Sequence, residues 1–236
     1  MIEVVVLDAA QELAPAQFDA LSQLVSPAKR ERIGRFLRYR DAQNCLLADV
    51  LARLELARLT GLEARRLEFE TNQWGKPRLC APPGAAAPPP VCFNVSHSGD
   101  LVVCATSGTP VGVDVEVVAS GDLEVVRRFF AADEAAYVLA DGLPPDQVRQ
   151  RFAEVWTKKE SRLKREGRGL SVPLSSFSVV AADDAGLTYH RVCPERADAC
   201  CHVCSDQVVA PQVRLASTRM LLLGAFGPRA LSDSFR

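Results

Sequence analysis

Two short segments constrain this chain more than any others: Val111-Gly112-Val113-Asp114-Val115-Glu116 and Trp156-Thr157-Lys158-Lys159-Glu160-Ser161-Arg162-Leu163-Lys164. In the first, β-branched valines alternate with other residues, which predicts a strand. Successive side chains of a strand point to opposite faces, so Asp114 and Glu116 share one face and Val113 and Val115 the other. The second segment reads as a helix, where residues four apart align, here Trp156, Glu160 and Lys164. If strand and helix meet, three carboxylates and a lysine converge on one point. Three carboxylates with room for water and phosphate oxygens form the hard-ligand environment that Mg²⁺ favours. The lysine adds a point charge for a phosphate beside the metal. Each segment alone is more often a solvated surface, so the information lies in finding both.

A chain of 236 residues makes one large domain or two small ones. With 48% hydrophobic and 24% charged residues it has material for a sizeable core, and its formal net charge of -1 argues against generic nucleic-acid binding. No apolar run approaches the roughly 20 residues that span a bilayer. Met1-Ile2-Glu3 opens without a basic region or a signal-like hydrophobic stretch. The expectation is a cytoplasmic protein with neither membrane nor nucleic-acid partners. Of eight cysteines, Cys193, Cys200, Cys201 and Cys204 cluster near His190 and His202. A single Cys-x-x-Cys pair falls short of the two that structural zinc sites favour, so free thiols are expected.

Along the chain, Ile2–Leu7 reads as a buried strand and Pro15–Leu24 as a short helix. Ser26-Pro27 opens a longer helix, expected to run from Pro27 to Leu59 and to stop at Gly61. Its first turns carry Lys29, Arg30, Arg32, Arg35, Arg38 and Arg40, a local basic patch. Asn72–Pro77 is a turn, and Ala81–Pro90 a stiff Ala/Pro-rich loop. Phe93–Val95 leads into a Ser96-His97-Ser98-Gly99 turn and a return strand, Leu101–Ala105. Helices follow around Val125–Phe130 and Asp133–Leu139, and from Asp146 past Lys164. Strands are expected at Ser176–Val180 and Leu187–Val192, joined by an Asp183–Gly186 turn, and then at Ala199–Val203 and Leu221–Ala225, before a polar tail from Pro228.

The Gly-hydrophobic-Asp-x-Glu strand (Gly112, Asp114, Glu116) is followed after about forty residues by a Trp-x-x-Lys-Glu-x-x-x-Lys helix (Trp156, Lys159, Glu160, Lys164). Together they resemble the signature of the 4′-phosphopantetheinyl transferase superfamily, in its long bipartite, surfactin-synthetase-activating type. Ser26-Pro27-Ala28-Lys29-Arg30-Glu31-Arg32, Gly75-Lys76-Pro77 and Phe93-Asn94-Val95-Ser96-His97-Ser98-Gly99 extend the resemblance over most of the chain.

The resemblance implies an α+β fold of two similar αβ halves related by a pseudo-twofold axis, with the active site in the cleft between them. Residues 1–110 would contact the 3′-phosphate and adenine of coenzyme A; residues 111–236 would carry the metal site and the carrier-protein surface. It implies Asp114, Glu116 and Glu160 as ligands of Mg²⁺ (or Mn²⁺), and Glu160 and Lys164 as catalytic residues. Coenzyme contacts would come from Lys29, Arg32, Lys76, Ser96, His97, Lys159 and Lys164. The partners would be apo acyl or peptidyl carrier proteins, acidic helical domains docking near Arg127-Arg128-Phe129-Phe130, and a monomer would suffice. Two other classes stay open. One is a different Mg²⁺-dependent phosphoester enzyme, a nuclease or hydrolase, opposed by the coenzyme-shaped set Lys29, Lys76 and His97. The other is a non-catalytic carrier-binding protein of the same fold, opposed by the intact acids and Lys164.

Overall fold

The computed structural model describes residues 1–118, 123–180 and 186–227. The passage through Gly121 and Asp122, most of the expected turn at 183–186 and the tail from Pro228 lie outside them. The apolar run at the N-terminus forms β1 (Ile2–Asp8). It sits between antiparallel β5 (Leu101–Ser107) and parallel β9 (Gln212–Ser217), and β4 (Cys92–Ser98) completes a four-stranded sheet of order β4-β5-β1-β9. A second, antiparallel sheet has the order β6-β8-β7, from β6 (Gly112–Val117), β7 (Thr188–Arg191) and β8 (Ala199–Ser205). A small hairpin pairs β2 (Phe69–Thr71) with β3 (Pro77–Leu79).

Alternation along the strands decides which face each residue occupies, and burial fixes the register, because each fully buried Val or Leu contributes about 1.5–3 kcal/mol. Val5, Leu7, Val102 and Cys104 face α3 (Tyr39–Thr60), packing on Leu46, Leu47 and Val50. The opposite face of that sheet offers Ile2, Val4, Val6 and Val103, which meet Val113, Val115 and Val203 of the second sheet in a second core. Asp114 and Glu116 consequently point the other way, towards α6 (Pro145–Glu166). A smaller cluster joins α6 to α4 (Leu123–Phe129) and α5 (Ala132–Val138) through Val126, Phe130, Val138 and Val155. Both α3 and α6 span 22 residues and end on a left-handed glycine, Gly61 at φ 73 and Gly167 at φ 69.

Two contacts lock β6 in place. A Cβ on Gly112 would lie 1.9 Å from the Ser161 carbonyl oxygen and 2.4 Å from the Arg165 nitrogen, so α6 rests main chain against main chain on the strand. On its outer edge, β6 donates its Val113, Val115 and Val117 N–H groups to side chains of β4, namely Asn94, Ser96 and Ser98. Buried main-chain donors need partners, and here side chains supply what a paired strand would.

Four expectations are corrected. The helix from Pro27 breaks into α2 (Pro27–Ile33) and α3. Gly34 is a poor helix former, and the interrupted segment is held elsewhere: the Tyr39 hydroxyl donates to the Leu13 carbonyl, and Arg40 to those of Ala9 and Ala10. Ser96, His97 and Ser98 belong to β4 itself rather than to a turn, which is left to Gly99 and Asp100. Ser176–Val180 is not a strand, because Glu134 captures the Val179 N–H and Lys159 the Phe177 carbonyl. Leu221–Ala225 lies in helix α7 (Thr218–Phe226), whose N-cap Ser217 accepts the Met220 N–H. Leu221 and Leu222 then join the core under α3, so β9 and α7 return the chain to its first half.

Replacing Gly112 by alanine should cost about 3 kcal/mol or more, since the added methyl meets unyielding main chain on both sides. A lower denaturation midpoint with an unchanged m-value in urea would be the expected result; a stability equal to the parent would show that α6 can move away from β6.

Candidate active site

One cleft, of about 1020 Å³, gathers side chains from α2, α3, β4, β6 and α6. Asp114, Glu116, Glu160 and Lys164 line it from the second half of the chain, and Lys29, Arg32, Ser96 and His97 from the first. Eight of the residues anticipated from sequence therefore line one cleft.

Asp114 is 3% exposed. Its Oδ1 accepts the Lys164 ammonium at 2.5 Å and the Ser96 hydroxyl at 2.9 Å, whereas its Oδ2 is buried without a partner. Burial raises the Asp114 carboxyl above its ordinary range in spite of Lys164 and Ser96. Glu116 is raised by burial and by Asp114, against a hydrogen bond from Ser98 and another from the Trp156 side chain. Glu160 is raised by burial and by the charge of Asp114. These acids repel one another in a site shielded from water, which favours a cation among them. Among the described residues no three acid, His or Cys side chains already close on one point. The partnerless Asp114 Oδ2 and an all-oxygen donor set nevertheless fit a hard divalent ion.

His97 shows the opposite field. Burial lowers its imidazole below the ordinary value, and the positive charges of Lys164, Lys29 and Arg32 lower it further against Asp41. Such convergence of cations suits an anion such as a phosphate. Of the basic patch, only Lys29 and Arg32 line this cleft. Arg30 bonds the Ser22 carbonyl, Arg35 pairs with Glu31, and Arg40 with Asp100. Ser96 also differs from expectation. Its hydroxyl accepts the Val115 N–H and the Lys164 ammonium and donates to Asp114, which uses all its bonding capacity, so it orients the acid end.

Two expected coenzyme contacts do not reach the cleft. Lys159 is one position from Glu160, about 100° around the helix, and points away from it. It is fully buried, pairs with Glu134 at 2.6 Å and donates to the Phe177 carbonyl at 2.7 Å. Lys76 sends its ammonium to the carbonyls of Arg165 at 2.9 Å and Val111 at 3.2 Å, while Gly75 of the same turn lines the cleft. Carbonyls in the last turn of a helix lack helical partners, and Lys76, with Asn72 on the Gly167 carbonyl, supplies them. Burial holds the Lys76 ammonium down at about 8.

The sequence reading missed Arg53, 3% exposed, which pairs with Asp49 at 2.6 Å and lies 4.8 Å over the Phe69 ring in the cleft wall. Asp49 in turn pairs with Lys29 at 3.6 Å. An i, i+4 Asp-Arg spacing on a helix was the available signal. His202, opposite Asp114 on β8, shares a 2.8 Å bond with Thr157 of α6; burial lowers its imidazole to about 3, so it ties helix to sheet as a neutral ring.

A mixed α/β protein with acids and cations disposed along one cleft is the class that fold and site define. Residues 12–109 match the family described as 4′-phosphopantetheinyl transferase, N-terminal, and residues 110–216 match the 4′-phosphopantetheinyl transferase superfamily. The chain belongs to that superfamily. It is 39% identical over 176 residues to the 4′-phosphopantetheinyl transferase Sfp of Bacillus subtilis (strain 168), and 37% identical over 176 residues to a 4′-phosphopantetheinyl transferase of Bacillus subtilis, covering 75% of both chains in each case. It is 32% identical over 177 residues to the 4′-phosphopantetheinyl transferase gsp of Aneurinibacillus migulanus, covering 75% of this chain and 70% of that one.

Two measurements test the reassigned lysines. Lys159→Met leaves Glu134 charged and buried, so stability should fall by about 3–5 kcal/mol; a fall under about 1 kcal/mol in thermal denaturation would contradict the assignment. For Lys76, the folded value near 8 lies below the ordinary 10.5. Between those values the native chain binds fewer protons than the unfolded one, so this group's contribution to stability rises with pH and is lost as pH falls through 8. The stability difference between parent and Lys76→Met should therefore grow in the parent's favour from pH 8 to pH 10.5, and a flat difference would count against a buried ammonium.

Proposed function

We propose that this protein transfers the 4′-phosphopantetheine arm of coenzyme A to a serine hydroxyl of an apo acyl or peptidyl carrier protein, releasing 3′,5′-ADP. The observation that carries the reading is the charge distribution in one cleft: Lys29 and Arg32 beside His97 at one station, three acids at another, and Lys164 acting on both. Coenzyme A carries a 3′-phosphate and a pyrophosphate, and needs both stations. Lys29, Arg32 and His97 hold the 3′-phosphate. Gly75 lets the turn approach the adenine, with Phe69 and Phe93, whose centroids are 5.3 Å apart, forming an apolar wall.

Asp114, Glu116 and Glu160 are the residues that would hold Mg²⁺, or Mn²⁺ in its place. When bound, the ion neutralises pyrophosphate charge and stabilises the leaving phosphate. Lys164 binds the same pyrophosphate, with Ser96 and Asp114 fixing its ammonium. The carrier's serine oxygen attacks the β-phosphorus, the bond to the 3′,5′-ADP oxygen breaks, and Glu160 accepts the serine proton. Glu160 lines the cleft on the helix that also carries Lys164, one turn away, so the carboxylate stands beside the group that holds the pyrophosphate.

The pairing of 22-residue helices on two sheets supports two αβ halves about a pseudo-twofold axis with the cleft between them, divided near residue 110 but with β9 and α7 exchanged into the first half. On this reading one chain supplies the whole cleft, and a monomer suffices. Arg127, Arg128 and Phe129 of α4, the last 43% exposed, offer an acidic helical carrier a basic and apolar face. No helix among the described residues is long and apolar enough to cross a membrane, in keeping with a cytoplasmic enzyme.

The test is intact-mass spectrometry of an apo carrier after incubation with the protein, coenzyme A and Mg²⁺. The carrier should gain one phosphopantetheine unit only when metal is present, and Glu160→Gln should lower the turnover rate by about 10²–10³-fold, the cost of removing one electrostatic element from a transition state. No gain on peptidyl, polyketide or fatty-acid carriers, with a clear thermal shift on adding coenzyme A, would identify a binding protein instead.

A further inference from the structure

Asn94, Ser96 and Ser98 alternate along β4, so their side chains emerge on one face. Each accepts a main-chain N–H of β6: Val113 to Asn94 Oδ1 at 2.8 Å, Val115 to Ser96 Oγ at 3.3 Å, and Val117 to Ser98 Oγ at 3.1 Å. A hydroxyl accepts and donates at once, whereas an amide oxygen only accepts. The two serines therefore have a proton to give, and each gives it to the acid preceding its own N–H partner. Ser96 donates to Asp114 and Ser98 to Glu116, both at 2.9 Å. Rungs and acids both recur every second residue, so the register of β4 on β6 assigns one hydroxyl to each acid.

The two acids are not equally tethered. Asp114 is held from a second side by the Lys164 ammonium at 2.5 Å. Glu116 has a longer side chain, and its second donor is the neutral Trp156 side chain. The turn after Ser98 closes tightly on the end of β6: Gly99 has φ +55, and a Cβ there would lie 2.5 Å from Val117 Cγ2. Ser98 is thereby clamped between the strand end and the carboxylate.

We propose that Ser98 is a positioning residue for the transfer reaction, its hydroxyl bridging the Val117 N–H and the Glu116 carboxylate so that Glu116 is aimed at the divalent cation. This rests on the reading of Asp114, Glu116 and Glu160 as the cation's ligands. Holding a glutamate in one rotamer costs conformational entropy, and hydrogen bonds behind a ligating side chain typically change metal affinity by about 10–100-fold.

The experiment is Mn²⁺ binding to the purified protein, followed by the paramagnetic resonance signal of the free ion and so independent of turnover. Ser98→Ala should raise the Mn²⁺ dissociation constant by about 10–100-fold, and Ser98→Thr, which keeps the hydroxyl, should stay within about threefold of the parent. Asn94→Ala removes a rung that touches no carboxylate. It should lower thermal stability while leaving Mn²⁺ affinity within about threefold. Unchanged affinity in Ser98→Ala, or an equal loss in Asn94→Ala, would overturn the proposal. If Ser98→Ala fails to fold, Ser98→Cys keeps the volume with a weaker donor and should weaken Mn²⁺ binding in the same direction. A parent that transfers phosphopantetheine with Ser98→Ala binding Mn²⁺ normally would defeat the role of Ser98 alone. A parent that binds no Mn²⁺ would defeat the cation-ligand reading along with it.

Discussion

At Gly112 the strand β6 and the helix α6 touch main chain to main chain, with no room for even a methyl group between them. Asp114 and Glu116 lie two and four residues along the strand from that point, and Ser161 and Arg165, which it touches, neighbour Glu160 and Lys164 on the helix. The contact therefore fixes the separation of four charged groups, and larger residues at position 112 would spread them apart. The other side of β6 is held by the β4 rungs, and its inner face by Val113 and Val115 in the core. A strand restrained on all these sides has no freedom of register, and its acids inherit that rigidity.

Electrostatics divides the helix α6 into two environments that differ by a single residue. Glu160 faces the cleft, where burial and like charge raise its carboxyl. Lys159 faces the protein interior, where Glu134 and the Phe177 carbonyl neutralise and satisfy it while the Phe177 ring lies 4.1 Å away. Removing charge from water is costly, and the cost is offset only by a complete set of partners. Lys159 has such a set, and the acids of the cleft do not: Asp114 Oδ2 has none. The first arrangement makes a structural pin between α5 and α6; the second leaves a binding capacity.

The cleft acids and Lys164 were legible because a strand period of two and a helix period near four place them without any knowledge of the fold. Lys29, Arg32 and His97 were reached differently, through the resemblance of their motifs to the family's, and the cleft does gather them. Local periodicity misled where a tertiary contact outweighed it. Tyr39 and Arg40 anchor to residues 9–13 and break the helix after Ile33. The apolar run at 221–225 was too short to distinguish strand from helix by period, and the cap at Ser217 decided it. Lys76 and Lys159 were placed by motif alone, and a motif does not say which way a side chain points. The roles of Ser96 and Ser98 depend on the β4–β6 register, which no local signal encodes.

The C-terminal segment returns to the first sheet. β9 pairs with β1, and α7 packs under α3, so residues 212–226 lie against the first half of the chain. The Asn72–Lys76 turn adds a second tie, because its Asn72 and Lys76 side chains cap the last carbonyls of α6. A Cβ on Gly167 would lie 2.7 Å from Lys76 Cδ, so that end of the helix and the turn are fitted closely to one another. Gly75 of this turn also forms part of the cleft wall. One short turn thus joins the wall of the first half to the end of the helix that carries Glu160 and Lys164. These part-buried hydrogen bonds couple the turn to the helix end, so the placement of Glu160 and Lys164 depends on residues that lie far from them in sequence.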